Sequence, residues 1–189
     1  MYRVAQGMHQ LHSYGIVHRD LKASNVLVDP SGDGEYLYCC VADFESSVGV
    51  IGTGFWRAPE ILQACRERNV SNRLELFSES ADTYSYGMTC YEVLTGRVPF
   101  QNHPLSKECA LLTDLVINQH LRPEVPEHVD DWARGLLEWC WQSDPAARPS
   151  FEEILSFIEA NSEVDYIKEE AARRMVVVDE EIEASNMGS

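Results

Sequence analysis

Three polar residues between two apolar runs carry the clearest chemical signal in this sequence. The stretch 16–28 contains the carboxylate Asp20, the ammonium group of Lys22 two residues later and the carboxamide of Asn25 five residues later. A rigid loop of this composition can hold a proton acceptor, a positive charge and a metal ligand beside a phosphate group. The spacing therefore suggests phosphoryl transfer, provided that a second metal ligand lies nearby.

A predicted β-hairpin would supply that second ligand. The runs 26–28 and 36–41 have the composition of strands, and the segment between them, 29–34, reads Asp-Pro-Ser-Gly-Asp-Gly, which strongly favours a turn. Asn25 precedes the first strand and Asp43 follows the second. Pairing of the two strands would therefore bring these two residues together.

The hairpin thus predicts a division of labour among four side chains. Asn25 and Asp43 offer hard oxygen ligands, which Mg²⁺ prefers. Asp20 would then remain to accept a proton from an attacking hydroxyl. Lys22, as a point charge, would lie near the transferred phosphate.

The remaining residues predict helices packed around one central helix. Residues 82–95 are apolar on nearly every side, which is typical of a buried helix. Ser150 and Glu153 have the spacing of a capping box at the start of the last helix. We therefore predict a mainly α fold, a helical lobe around a buried central helix with a small β-hairpin beside the loop. The other predicted helices cover 1–13, 61–68, 105–119, 128–141 and 150–160, and 69–80 is predicted to be a polar surface excursion.

Composition and charge limit the classes of partner. The 189 residues include 31 acidic and 15 basic side chains, which gives a net charge of −16. Nucleic acids and anionic membranes bind basic surfaces, so we expect neither as a partner. No apolar run approaches the roughly 18–20 residues of a membrane span, and the first residues do not resemble a signal peptide, so we expect a cytoplasmic or nuclear protein. The acidic stretch 161–189 is expected to be a tail, a helix that frays into disorder.

An ordered set of motifs resembles the C-terminal lobe (C-lobe) of eukaryotic protein kinases, and together these motifs span residues 1–160. The segments 139–141 and 148–151 most resemble the tyrosine-kinase-like group, and Lys22 suggests specificity for Ser/Thr. The motifs that carry the resemblance are His18-Arg19-Asp20-Leu21-Lys22-Ala23-Ser24-Asn25 for the catalytic loop, Asp43-Phe44 for the metal-binding DFG motif, Gly52-Thr53, Ala58-Pro59-Glu60 for the APE motif, 82–87 and 140–150.

The resemblance implies catalytic roles at the matching positions. Asp20 would be the catalytic base, and Lys22 would contact the γ-phosphate of ATP. Asn25 and Asp43 would be the Mg²⁺ ligands. The expected reaction is ATP- and Mg²⁺-dependent phosphorylation of serine or threonine in a protein substrate.

The resemblance also implies regulatory positions. Arg19 would bind a phosphorylated activation loop, for which Ser46, Ser47 and Thr53 are the available hydroxyls. Ser46 and Ser47 are the candidate phosphorylation sites. Thr53 is expected instead to shape the substrate site.

Structural roles follow for three further residues. Glu60 and Arg148 would form a buried ion pair that ties the activation segment to the helical lobe, and Asp82 would brace the catalytic loop from the central helix. His9 and His12 lie one helical turn apart, but no third ligand lies nearby in the sequence. We therefore assign both histidines to the surface or the packing of the first helix rather than to a metal.

Three departures from the kinase pattern bear on activity. The 189 residues contain no glycine-rich phosphate loop and no strand lysine to pair with the α- and β-phosphates, so the N-lobe is missing and this chain alone is expected to be inactive. Glu45 stands where a glycine follows Asp-Phe, which restricts the backbone there. The segment 43–60 is short for an activation segment. Apolar surface at the face where the N-lobe would dock is expected to promote association.

Two other functions remain open at this point. The chain could be a pseudokinase or a non-catalytic scaffold that binds partners through its helical face and acidic tail. Alternatively, it could transfer phosphate to a small molecule. The segment 56–60, which resembles the protein-substrate platform of kinases, favours a protein substrate over a small molecule.

Overall fold

Six α-helices and one two-stranded antiparallel sheet make up the described part of the chain, as the mainly α prediction requires. The structure, a computed structural model, describes residues 1–30, 37–43 and 52–161. Its elements are α1 Tyr2–Ser13, β1 Val26–Pro30, β2 Leu37–Val41, α2 Pro59–Arg66, α3 Glu79–Thr95, α4 Cys109–Asn118, α5 Asp131–Cys140 and α6 Phe151–Asn161, with short 3₁₀ helices at Ala23–Asn25, Gly54–Trp56, Val70–Asn72, Leu74–Leu76 and Pro145–Ala147.

The chain divides into two compact units, Met1–Leu155 and Ser156–Ser189. In the second unit the structure describes only 156–161, where the Asn161 side chain donates a hydrogen bond to the Phe157 carbonyl oxygen. The predicted tail beyond Asn161 lies outside the described residues. None of the helices that the structure describes is both long enough and apolar enough to cross a membrane.

Helix α3 is the centre of the first unit. Every residue from Ala81 to Tyr91 is buried, which confirms the predicted central helix over most of its length. The last turn differs from the prediction, because Val93 is 57% exposed. α3 packs closely on α5: a Cβ atom added at Gly87 would lie 2.9 Å from the Cβ atom of Cys140. Only glycine allows the two helices to approach this far.

The predicted hairpin forms and packs on α1, but β1 continues through Pro30, because Asp29 and Pro30, predicted to belong to the turn, still pair with β2. β1 and β2 are antiparallel, with Val26 opposite Val41 and Val28 opposite Cys39. A Cβ atom added at Gly7 of α1 would lie 3.2 Å from Cγ2 of Val41, so α1 and β2 are in close contact. This contact fixes the sheet beside the helix that precedes the catalytic loop.

Two predicted segments differ from the structure. The stretch 69–80 is not simply a polar excursion, because Val70 and Phe77 are buried and α3 already begins at Glu79. The helix predicted from residue 105 begins only at Cys109, because the residues before it form successive turns. In 69–80, two buried apolar side chains outweigh the average polarity of the segment. In 105–108, a short run of turns interrupts the helical periodicity.

The capping box is present as predicted. The backbone N–H of Ser150 donates to a Glu153 carboxylate oxygen at 2.8 Å, and the Glu153 N–H donates to the Ser150 hydroxyl at 3.3 Å. These hydrogen bonds to the Ser150 backbone and side chain lower the pKa of the Glu153 carboxyl group. The last helix therefore starts where the sequence predicts.

Candidate active site

Asp20, Lys22 and Thr53 form a triangle of short polar contacts. The Lys22 ammonium nitrogen lies 2.8 Å from Oδ2 of Asp20 and 2.8 Å from the Thr53 hydroxyl oxygen. The Thr53 hydroxyl donates to the other carboxylate oxygen, Oδ1 of Asp20, at 2.6 Å. All three side chains are only partly buried, so the carboxylate is oriented by its neighbours yet remains accessible from solvent. This is how a proton acceptor can be held in one rotamer before a substrate arrives.

Asn25 ties the catalytic loop to the hairpin. The side-chain nitrogen of Asn25 donates to the Asp20 backbone carbonyl oxygen at 2.8 Å. The backbone carbonyl oxygen of Asn25 accepts from the Ala42 N–H at 2.8 Å. Asp43 follows Ala42 directly and is exposed. The hairpin therefore brings Asn25 and Asp43 to the same end of the sheet, as its pairing requires.

His18 makes a second link between the loop and the end of β2. Its Nδ1 atom accepts from the Asp20 N–H at 3.3 Å, and its Nε2 atom lies 3.0 Å from the Ala42 carbonyl oxygen. A carbonyl oxygen can only accept, so the imidazole carries a proton on Nε2. The ring is fully buried. His18 thus orients the backbone on both sides of the site and does not reach a substrate.

The Asp82 side chain on α3 accepts hydrogen bonds from the backbone of the predicted catalytic loop. Its carboxylate accepts the His18 N–H at 2.7 Å and the Arg19 N–H at 2.8 Å, and the side chain is 1% exposed. Arg19 has a φ of 69°, in the left-handed region that non-glycine residues rarely adopt. The two hydrogen bonds offset the cost of this conformation, on the order of 1–3 kcal/mol, immediately before Asp20.

Gly52 allows the activation segment to lie directly on the catalytic loop. Its φ is 85°, and a Cβ atom at this position would lie 2.7 Å from the carbonyl oxygen of Arg19. The Arg57 guanidinium holds the same turn, since one of its nitrogen atoms donates to the Gly52 carbonyl oxygen at 2.6 Å. A residue with a side chain at position 52 would push Thr53 away from Asp20.

The predicted Glu60–Arg148 ion pair is present and bidentate. The two terminal guanidinium nitrogen atoms lie 2.8 and 2.9 Å from the two carboxylate oxygens of Glu60. The Arg148 side chain is fully buried, and it also donates to the carbonyl oxygens of Ser80 and Gln142. Its guanidinium lies over the Tyr84 ring at 5.2 Å from the ring centre. The pair therefore joins α2, α3 and the segment before α6.

The residues to which the resemblance assigns a regulatory role lie partly outside the described residues. The Arg19 guanidinium lies over the buried Phe77 ring, 5.3 Å from its centre. Phe44, Glu45, Ser46 and Ser47 lie outside the described residues, so the predicted contact between Arg19 and a phosphorylated loop stays a prediction.

Two residues near the site were missed by the sequence reasoning. His12, assigned above to the surface or packing of α1, has 8% side-chain exposure and lies 3.0 Å from the Asp82 carboxylate. Glu92 of α3 accepts the Ala23 N–H at 3.2 Å. A signal for His12 was available, since Val4, Met8 and His12 follow each other at intervals of four and so share the buried face of α1. Glu92 gave no such signal, because its partner is a backbone group of the loop.

Comparison with known proteins identifies one family. The family profile described as protein kinase domain matches residues 1–157. A probable serine/threonine-protein kinase of Dictyostelium discoideum is 39% identical over 160 residues, which cover 83% of this chain and 11% of that protein. The serine/threonine-protein kinase STY17 of Arabidopsis thaliana is 34% identical over 165 residues, 82% of this chain and 25% of its own. The dual specificity protein kinase shkC of Dictyostelium discoideum is 33% identical over 169 residues, 82% of this chain and 30% of its own. The chain thus spans less than a third of these relatives.

Proposed function

Because this chain belongs to the protein kinase domain family, we propose that the kinase domain to which it contributes transfers the γ-phosphate of ATP to serine or threonine hydroxyls of a protein substrate with the help of Mg²⁺. The serine/threonine class follows the relatives, several of which are named as serine/threonine-protein kinases. Membership of the tyrosine-kinase-like group is part of the same proposal. The observation that carries it is the oriented Asp20 carboxylate, held by Lys22 and Thr53 at the end of the hairpin.

Asp20 would act as the proton acceptor. The acceptor hydroxyl gives its proton to an Asp20 oxygen as the hydroxyl oxygen bonds to the γ-phosphorus, and the bond from that phosphorus to the leaving ADP oxygen breaks. Each carboxylate oxygen has a further lone pair beyond the one that Lys22 or Thr53 uses. Proton transfer to a positioned base of this kind typically contributes about 10²–10⁴-fold in rate.

The residues at the end of the sheet fit Mg²⁺. Asn25 uses its amide nitrogen on the Asp20 carbonyl, which leaves the carboxamide oxygen as the donor for a cation. Asp43 is exposed and directly follows Ala42, whose N–H donates to the Asn25 backbone carbonyl oxygen. Among the described residues no group of three or more His, Cys, Asp or Glu side chains could hold a metal. Phosphate and water oxygens would therefore complete a shell that the protein begins with two oxygens. When bound, the ion neutralises charge on the phosphates.

Lys22 would supply positive charge to the transferred phosphate. Its ammonium group is shared between Asp20 and Thr53. A γ-phosphate near this group would compete for the same charge and leave Asp20 better able to accept a proton. Thr53 would hold the Asp20 and Lys22 side chains in fixed relative positions through its hydroxyl group, and this is how we expect it to shape the substrate site.

The division into domains belongs to the proposal as well. We take residues 1–160 as the C-lobe of a kinase domain and 161–189 as an acidic tail. The 189 residues contain no glycine-rich phosphate loop, so we expect them to transfer no phosphate by themselves. Arg19 with Ser46 or Ser47 would provide regulation by phosphorylation, and the expected location is the cytoplasm or nucleus.

The test is a phosphotransfer assay on the full-length protein with ATP, Mg²⁺ and a generic serine/threonine substrate. Asp20→Asn should lower kcat by about 10²–10⁴-fold, because it removes the proton acceptor. Asp43→Asn should raise the Mg²⁺ concentration needed for half-maximal rate. Asp114→Asn is the matched control, since Asp114 is an exposed carboxylate in a surface ion pair and should leave the rate unchanged.

A scaffold function is the second candidate, supported by Glu45 at the glycine position of the DFG motif. It predicts that the wild-type full-length protein transfers no phosphate and that Asp20→Asn leaves partner binding intact. Wild-type activity that survives Asp20→Asn would contradict the role assigned to Asp20.

A further inference from the structure

His12 lies at the meeting point of three elements, although the proposed reaction gives it no role. It belongs to the last turn of α1, and its ring packs edge-on against the Phe151 ring at 5.0 Å between centres. Its Nε2 atom lies 3.0 Å from Oδ2 of Asp82. A carboxylate only accepts hydrogen bonds, so the Nε2–H of His12 donates to Asp82.

The same Asp82 carboxylate also contacts the backbone of the catalytic loop. The oxygen that accepts from His12 also accepts the His18 N–H at 2.7 Å, and the other oxygen accepts the Arg19 N–H at 2.8 Å. A carboxylate has two rotatable bonds and, without His12, only the two backbone groups would orient it. His12 adds a donor from a different helix and so defines where the plane of the carboxylate lies.

We propose that His12 is a positioning residue that locks the Asp82 carboxylate and, through it, holds the backbone of His18 and Arg19 so that Asp20 keeps its catalytic orientation. The inference rests on the proposed kinase function for its effect on rate, but not for its effect on the backbone. Arg19 requires such support, because its left-handed φ of 69° is strained and would relax if the carboxylate rotated.

The charges around His12 favour this arrangement. Besides Asp82, the carboxylate of Glu79 on α3 lies 3.9 Å from Nδ1 of His12, while the opposite face meets the uncharged Phe151 ring. Both acidic neighbours belong to α3. The Nε2–H donor is therefore directed toward the buried Asp82 and cannot be replaced by an apolar side chain of similar size.

The direct test is amide hydrogen exchange at His18 and Arg19 in the full-length protein. His12→Leu keeps the volume but removes the donor, and we expect the exchange of these two amides to become about tenfold faster while the exchange of the α3 interior is unchanged. His12→Gln, whose side-chain N–H can reach Asp82, should restore slow exchange. His9→Leu is the matched control, since His9 is exposed on the same helix.

Kinetics give a second readout. If the kinase proposal holds, His12→Leu should lower kcat by about tenfold or more with little change in the KM for ATP, and His12→Gln should recover most of the loss. Unchanged exchange at His18 and Arg19 in His12→Leu would overturn the inference whether or not the protein is a kinase. Faster exchange throughout α1 and α3 would also overturn it, since it would show a packing role only. Should His12→Leu fail to fold, His12→Asn, which keeps a polar group too short to reach Asp82, takes its place in both measurements.

Discussion

Buried side chains at the site hold backbone groups more than they hold one another. Asp82 accepts two backbone N–H groups of the catalytic loop, and His18 links the loop to the Ala42 carbonyl. Hydrogen bonds of this kind fix the path of a chain that has no regular secondary structure. The reactive group itself, Asp20, then needs only two side-chain contacts to keep its orientation.

Loss of the Glu60 carboxylate should destabilise the fold strongly. Glu60→Ala leaves the fully buried Arg148 guanidinium without its bidentate partner, and an uncompensated buried charge of this kind costs about 3–5 kcal/mol. We expect a value near the lower limit, because Glu60 is 18% exposed. Urea unfolding at neutral pH measures the loss.

The matched control for that substitution is another ion pair formed by a residue of α2. Arg66 and Asp114 lie 2.9 Å apart, but their side chains are 41% and 51% exposed. Asp114→Ala should therefore change the free energy of unfolding by about 0–1 kcal/mol. Equal losses for the two substitutions would show that burial does not strengthen the Glu60 contact.

At the scale of elements, α3 determines where the site residues lie. It carries Asp82 at its start and Glu92 near its end, and both accept N–H groups from the catalytic-loop region. Between them the helix is buried on all sides. The loop is therefore attached at two points to a helix that is buried over most of its length.

The buried acids of α3 should make stability fall at high pH. Burial raises the pKa of Tyr84 from 10.0 to about 12 and that of Cys90 from 9.0 to about 11. Both groups keep their protons longer in the folded state than in the unfolded state, so their contribution is complete below pH 9. It is lost as pH rises, through 9–11 for Cys90 and through 10–12 for Tyr84, at up to about 1.4 kcal/mol per pH unit for each group.

Tyr84→Phe tests this pH dependence. The Tyr84 hydroxyl has no hydrogen-bond partner among the described residues, so its removal should change stability by less than about 1 kcal/mol at pH 7. Between pH 10 and 12 the variant should lose stability less steeply than the wild type in urea unfolding. Tyr14→Phe, at a 72% exposed position, should keep the wild-type slope. The same slope in Tyr84→Phe as in the wild type would contradict the assignment.

The sequence predicted elements better than it predicted the contacts between them. The turn chemistry of 29–34 and the continuous apolar character of 82–95 act locally, so the hairpin and the central helix could be predicted. The burial of Phe77 under Arg19, and the contact of His12 with Asp82, join residues far apart in the chain. The spacing of Val4, Met8 and His12 could have placed His12 on the buried face of α1, but no local pattern in the sequence identifies Asp82 as its partner or Phe77 as the partner of Arg19.

At the scale of the whole molecule, charge and exposed apolar area act in opposite directions. The net charge of −16 keeps copies of the chain apart at low ionic strength. Salt at physiological concentration screens this repulsion beyond about 8 Å. Short-range contacts between apolar surfaces are then free to act.

Self-association of the 189-residue chain should increase with salt and depend on β1. Leu27 is 61% and Val28 is 51% exposed, and successive strand residues point to opposite faces, so both faces of this strand present an apolar side chain. The double substitution Leu27→Ser and Val28→Ser should shift the distribution toward monomer in sedimentation experiments at 0.15 M salt. Leu111→Ser removes a comparably exposed apolar side chain, 53% exposed on α4, and should not. A wild-type chain that stays monomeric across the concentration range, or an equal effect of Leu111→Ser, would show that exposure at β1 does not drive association.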